Sequence, residues 1–130
     1  MKTELLYLTL VTALTGLLWV PYILDRISVC GLSDAVGYPV NPKPQSAWAT
    51  RLMKAHSNAV ENLVVFAALV LAAHAAGIGN STTAAACVVY FWARVAHVLA
   101  YTFAVPWVRT LAFAVGFFAQ AGLAWQLLAG

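Results

Sequence analysis

Leu5 to Leu24 runs for twenty residues without a charge. As a helix rising 1.5 Å per residue it spans about 30 Å, the thickness of a bilayer's hydrocarbon core. A cleaved secretory signal is the competing reading, and three features oppose it. The run is too long for a signal core, Glu4 stands where a basic leader belongs, and no Ala-x-Ala site follows cleanly. The segment is therefore predicted to be a retained transmembrane helix, and the rest of the chain must fold in lipid with it.

Composition agrees with that constraint. The 130 residues are 63% hydrophobic and 8% charged, against roughly 45–50% and about 25% for soluble domains. A soluble domain of this size leaves too much of its surface exposed to hide so many apolar side chains. The net charge of +3 comes from scattered cations with no basic run, which speaks against a nucleic-acid partner and for cations that set topology or meet an anionic ligand. Cys30 and Cys87 suggest neither a disulfide framework nor a metal site. His56, His74 and His97 lack the close spacing of metal ligands, and no hydrolase triad is present.

Four helices are predicted in one all-α transmembrane domain over residues 1–130, at about 5–26, 47–76, 82–104 and 107–128. Asp25 to Gln45 reads as a long polar connector punctuated by Gly31, Gly37, Pro39, Pro42 and Pro44. Gly77 to Ser81 is a tight turn, and Pro106 ends the third helix. Short turns make neighbouring helices antiparallel. Arg26, Lys43, Arg51, Lys54 and Arg109 then fall at one end of the bundle, while the termini and the Gly77 turn share the other end with Lys2. The positive-inside rule places the first group in the cytoplasm and both termini outside; the expected location is the inner membrane of a bacterium. There is no repeat, low-complexity tract or lipidation signal.

Ionisable groups within membrane helices are expensive, so each marks a candidate site. Arg51, Lys54, Asn58, Glu61 and Asn62 fall on one face of the second helix, within an arc of roughly 100°. Arg94, His97 and Tyr101, with Tyr90, form a stripe about 60° wide on the third. Neither stripe belongs against lipid, so they should face each other or a second subunit. Together they suit an anionic or zwitterionic ligand at membrane depth. The structural alternative is interhelical glue, with Glu61 and Arg94 as an internal ion pair.

Two motifs carry a resemblance to a known family. Arg51-x-x-Lys54-Ala55-His56-x-Asn58-x-x-Glu61-Asn62 is similar to R-x-x-R-A-H-x-N-x-x-E-N of the membrane-associated proteins in eicosanoid and glutathione metabolism (MAPEG). Arg94-Val95-Ala96-His97-x-x-Ala100-Tyr101 is similar to that family's R-x-x-H-x-x-x-Y, and Pro106 and Arg109 resemble the Pro and Arg that open its fourth helix. The resemblance covers most of the chain by helix count and order.

The resemblance implies a homotrimer with glutathione, a small thiol co-substrate, bound between subunits near the cytoplasmic side. Arg51, Lys54, Asn58 and Glu61 would hold it from the second helix. Arg94, His97 and Tyr101 would hold it from the third helix of the adjacent chain, and Arg109 would stabilise the thiolate. The implied reaction is glutathione conjugation or peroxide reduction of an apolar electrophile. The alternative is a non-catalytic trimer that binds lipid or scaffolds. The chain departs from the family pattern at Lys54 (Arg in the motif), at Ser57 and Phe113 (Arg and Tyr in prostaglandin-synthase members), and in a Tyr101–Arg109 spacing shorter by one residue. These departures argue against prostaglandin synthase activity. A transporter subunit gains no support, since no broken-helix pair is visible.

Overall fold

The structure, a computed structural model, describes residues 1–130 and contains only helices and their connections. α1 (Thr3–Leu17) and α2 (Trp19–Val36) together make the first span. α3 (Ala47–Ala75), α4 (Ser81–Thr102) and α5 (Val108–Ala129) make the other three. All four spans are long and apolar enough to cross a membrane. The protein is an integral, multi-pass membrane protein.

The first span differs from its predicted bounds in two ways, both traceable to single residues. It breaks at Leu18, whose N–H reaches only Thr15 O at 3.4 Å. Pro21 is the cause. It has no N–H for the carbonyl of Leu17, and its ring crowds that same carbonyl. The span then continues past Arg26 to Val36 instead of opening into a loop at Asp25. Gly31, at φ 81° and ψ 160°, leaves the helical region and kinks the chain, so α2 is two helical pieces, joined by a conformation that glycine adopts without steric cost. The non-helical connector is therefore confined to the stretch that holds Pro39, Pro42 and Pro44. At 1.5 Å per residue the stretch from Thr3 to the Gly31 kink is about 42 Å long, so its last turns project beyond the hydrocarbon.

The ends of α3 and α4 show one motif made with different residues. After α3, Gly77 N–H bonds His74 O at 3.2 Å and Ile78 N–H bonds Ala73 O at 2.9 Å. After α4, Ala104 N–H bonds Tyr101 O at 3.3 Å and Val105 N–H bonds Ala100 O at 2.9 Å. Both are Schellman caps, which need a left-handed residue at the turn. Gly77 takes φ 72° easily, whereas Ala104 takes φ 56° against its own Cβ. Three residues on, Trp107 at φ 68° and ψ −41° centres a γ-turn closed by Val108 N–H to Pro106 O at 2.8 Å, a strained conformation. The α4–α5 link thus holds two strained non-glycine residues immediately before Arg109.

The core lies where α1, α3, α4 and α5 meet. Val11, Phe66, Val70, Cys87, Tyr90, Ala119 and Leu123 are buried together, with Phe66 stacked on Tyr90 at 3.8 Å between centroids. Ala112, Gly116 and Ala119 on α5 are buried, and a Cβ on Gly116 would sit 3.8 Å from Ala93 and 3.9 Å from Arg94. Small residues at that spacing let helix backbones approach closely, the usual membrane solution. Outward-facing Val64, Leu71, Phe118 and Trp125 are exposed. In water they would be an aggregation surface, but in lipid they are in their solvent.

Polar clasps fix the two ends. At one end Thr83 Oγ1 lies 2.9 Å from Glu4 Oε2, Asn80 caps α4 through Thr82 and Thr83, and Asn80 Nδ2 reaches Gln126 Oε1 at 2.8 Å. The Gly77–Asn80 turn therefore lies with both ends of the chain. At the other end Asp25 accepts from the backbone N–H of Ser46 at 3.0 Å and from its hydroxyl, and Arg51 Nε donates to Thr102 O at 2.9 Å. The connector after α2 and the α4–α5 link share that second end.

Candidate functional site

The site is built on the second, basic end. α3 and α4 are antiparallel neighbours joined by the short Gly77 turn, so the polar stripes of the two helices meet within one chain. Arg94 is 2% exposed, and its Nη2 donates to Asn58 Oδ1 at 2.7 Å. The same nitrogen lies 3.3 Å from Nδ1 of His97, itself 2% exposed. An arginine only donates, so Nδ1 accepts and Nε2 carries the ring proton. The partners of this buried guanidinium are an amide and a neutral imidazole, and its Nε has no partner.

In front of this cluster lies a cavity of about 300 Å³ lined by Asn58, His97, Tyr101, Arg109, Thr110 and Phe113. Tyr101 meets His97 edge-on at 5.7 Å, and the Arg109 guanidinium lies over the Tyr101 ring at 4.6 Å. Cations over aromatic faces are held electrostatically, so the ring fixes where the exposed Arg109 points. A second polar space of about 230 Å³ shares Tyr101, Arg109 and Thr110 and adds Arg51 and the α4–α5 link. No acidic side chain lines either space.

Asn58, Arg94, His97, Tyr101 and Arg109 are therefore brought together. Asn58 and the α4 stripe, expected from different subunits, line the same cavity of one chain. Arg51 lines the adjoining space and is also bound to Thr102. Lys54 and Glu61 are not brought in: both are exposed, and Glu61 lines a separate open hollow with His56, Ser57 and Val60. The internal Glu61–Arg94 ion pair is not formed, because Arg94 is taken up by Asn58 while Glu61 points outward. His56 instead shares a 2.9 Å hydrogen bond with Tyr22 OH.

Two parts of the arrangement carried no sequence signal. Thr110 is a lone hydroxyl beside Arg109 on an apolar helix, and nothing in its spacing singles it out. The polar cluster also extends deeper than the motifs. Asn62 Nδ2 donates to Asn58 O at 2.9 Å, and Gln120 Nε2 donates to Asn62 O at 3.1 Å. Gln120 stands alone on α5, and only the third dimension pairs it with Asn62.

Four membrane-crossing segments around an arginine–asparagine–histidine cluster define a helical membrane bundle with a polar cavity between its helices. The chain belongs to the MAPEG family, whose sequence profile matches residues 8–129, a range that reaches into all four spans. No curated protein matches the chain.

Proposed function

We propose that the protein binds glutathione in the Asn58–His97–Tyr101–Arg109 cavity and transfers its thiolate to an apolar electrophile that enters from the bilayer. The observation that carries this reading is the charge of the cavity: Arg94 behind it, Arg109 on its rim, and no carboxylate on its walls. A buried cation without an anion is costly, and a ligand carboxylate offsets that cost. Glutathione brings two carboxylates, and membership of the MAPEG family supports that choice of anion.

The chemistry follows from the positions. A free thiol has a pKa near 8.5. A guanidinium at the sulfur favours the thiolate, and apolar surroundings strengthen its field. Arg109 is the cation in reach of the cavity. His97 Nε2–H and the Tyr101 hydroxyl donate to carboxylate or carbonyl oxygens, and Asn58 orients Arg94. The thiolate then attacks an electrophilic carbon. The new C–S bond forms as the leaving group departs with its electron pair, and the thiol proton goes to water.

Assembly as a homotrimer belongs to the same reading. Lys54, Ser57 and Glu61 are exposed on one side of α3, where lipid is a poor neighbour for charge. A second copy covering that side would bring Lys54 and Glu61 back to a site, with Glu61 facing the glutathione ammonium. The basic end then faces the cytoplasm of a bacterial inner membrane, with both termini outside.

The non-catalytic reading has one observation in its favour. Arg109 already lies on Tyr101, as an interfacial anchor would. A thiolate absorbance titration of bound glutathione, in wild type and Arg109→Ala, decides between them. The expected result is a bound thiol that ionises below its free value in wild type and reverts in the variant. A bound thiol at the free value in wild type would leave a binding module without transferase chemistry.

A further inference from the structure

Arg51 lines one space and is tied through Thr102 to the edge of another. The first is the polar space it shares with Arg109. The second is an apolar groove of about 530 Å³ between the first span, α3 and α4, lined by Leu14, Leu18, Leu52, Val98 and Leu99, with Thr102 at its edge. Thr102 joins the two. Its carbonyl takes Arg51 Nε, and its own buried hydroxyl has no partner. With Nε committed, the terminal nitrogens of the guanidinium remain for a ligand in the polar space.

The charge and depth of the two spaces point to one occupant. No acidic side chain lines either of them. Trp48 borders the groove and Trp107 borders the polar space, and tryptophan marks the level of lipid headgroups. From Phe103 the groove follows α4 back to Val95, about 12 Å toward the bilayer centre at the helical rise. A molecule that fills both spaces needs an anion at headgroup level and an alkyl chain below it.

We propose that these neighbouring spaces together hold one anionic phospholipid, with an acyl chain in the groove and the phosphate on the Arg51 guanidinium. The planar fork of arginine matches phosphate oxygens in pairs, and basic pockets between transmembrane helices favour anionic headgroups. A zwitterionic lipid fits the groove equally but brings its ammonium toward Arg51 and Arg109. The polar space shares Tyr101, Arg109 and Thr110 with the glutathione cavity, but the lipid needs no thiol, so it does not depend on the glutathione reading.

The test is native mass spectrometry of the intact protein after exchange into vesicles of equal phosphatidylglycerol and phosphatidylcholine, with no thiol present. One phosphatidylglycerol should remain per chain, preferred about fivefold over phosphatidylcholine, the bias one arginine gives toward an anionic headgroup. Leu99→Trp, at an exposed lining position, should fill the groove and remove both adducts. Arg51→Gln should keep an adduct and lose the preference. Equal adducts in wild type would overturn the proposal, as would a Leu99→Trp protein that retains its lipid. Inorganic phosphate that strips the adduct from wild type would assign the polar space to free anions instead.

Discussion

Arg94 is the most consequential side chain in the molecule, because it is charged, buried and held by neutral groups alone. Asn58 and His97 orient it without neutralising it. Arg94→Ala is therefore expected to weaken glutathione binding by roughly 2–5 kcal/mol, the range for truncating one partner of a buried charged contact. Calorimetry on detergent-solubilised protein measures it directly, and unchanged binding would reduce Arg94 to interhelical glue. A second residue-scale expectation concerns strain. Ala104 occupies the left-handed position that Gly77 fills in the matching cap. Ala104→Gly should stabilise the fold by about 0.5–1 kcal/mol, the left-handed penalty less the entropy of a freer unfolded chain. Chemical denaturation in mixed micelles reads that difference. These residues also show what sequence can reveal. Arg94, His97 and Asn58 were legible because charge at membrane depth is rare and helical spacing aligns it. The strain at Ala104 and Trp107 was not legible, because nothing about alanine or tryptophan announces a positive φ.

At the scale of elements, the first span is longer than its apolar run and is interrupted at two residues. Pro21 interrupts the apolar run in the sequence, and in the structure it divides the first span. Asp25 looks like the opening of a loop, yet the helix carries it, while Gly31 is the breaker it looks like, non-helical at φ 81° and ψ 160°. Asp25 is better understood as a clasp: it takes the Ser46 backbone N–H and hydroxyl, and so seats the start of α3 against α2. Asp25→Ala should leave the helices in place and loosen that junction. Backbone exchange at Ser46 and through the first turn of α3 should speed up, while the amides around Phe66 keep their protection. Equal speeding at both places would mean that the clasp supports the whole bundle. The number and order of spans were readable because twenty apolar residues have few other uses. The pairing of Asp25 with Ser46 was not, since it crosses a proline-rich connector of no fixed geometry.

For the whole molecule, the two ends are chemically different. The end with Arg51 and Arg109 is basic, and the end with Glu4, Asn80 and Gln126 is closed by neutral side chains and one carboxylate. A reporter fused after Gly130 should therefore be active outside the cytoplasm, and one inserted after Asn41 should be active inside. The reverse result would overturn the orientation drawn from the cations. The exposed Lys54 and Glu61 call for a neighbour, so native mass spectrometry in mild detergent should show trimers, and monomers alone would count against the shared site.

The Glu4–Thr83 contact also has a consequence for how the protein is made. The two residues are 79 positions apart, and Tyr7 likewise finds its edge-on partner in Phe91. At about 5–20 residues per second of synthesis, the N-terminal end of the first span waits roughly 4–16 seconds for its partners on α4. During that interval it has only α3 to pack against, with the carboxylate of Glu4 still unpaired. Chains arrested before Ser81 should accordingly be the ones that membrane quality-control proteases remove, and chains arrested past Phe91 should survive.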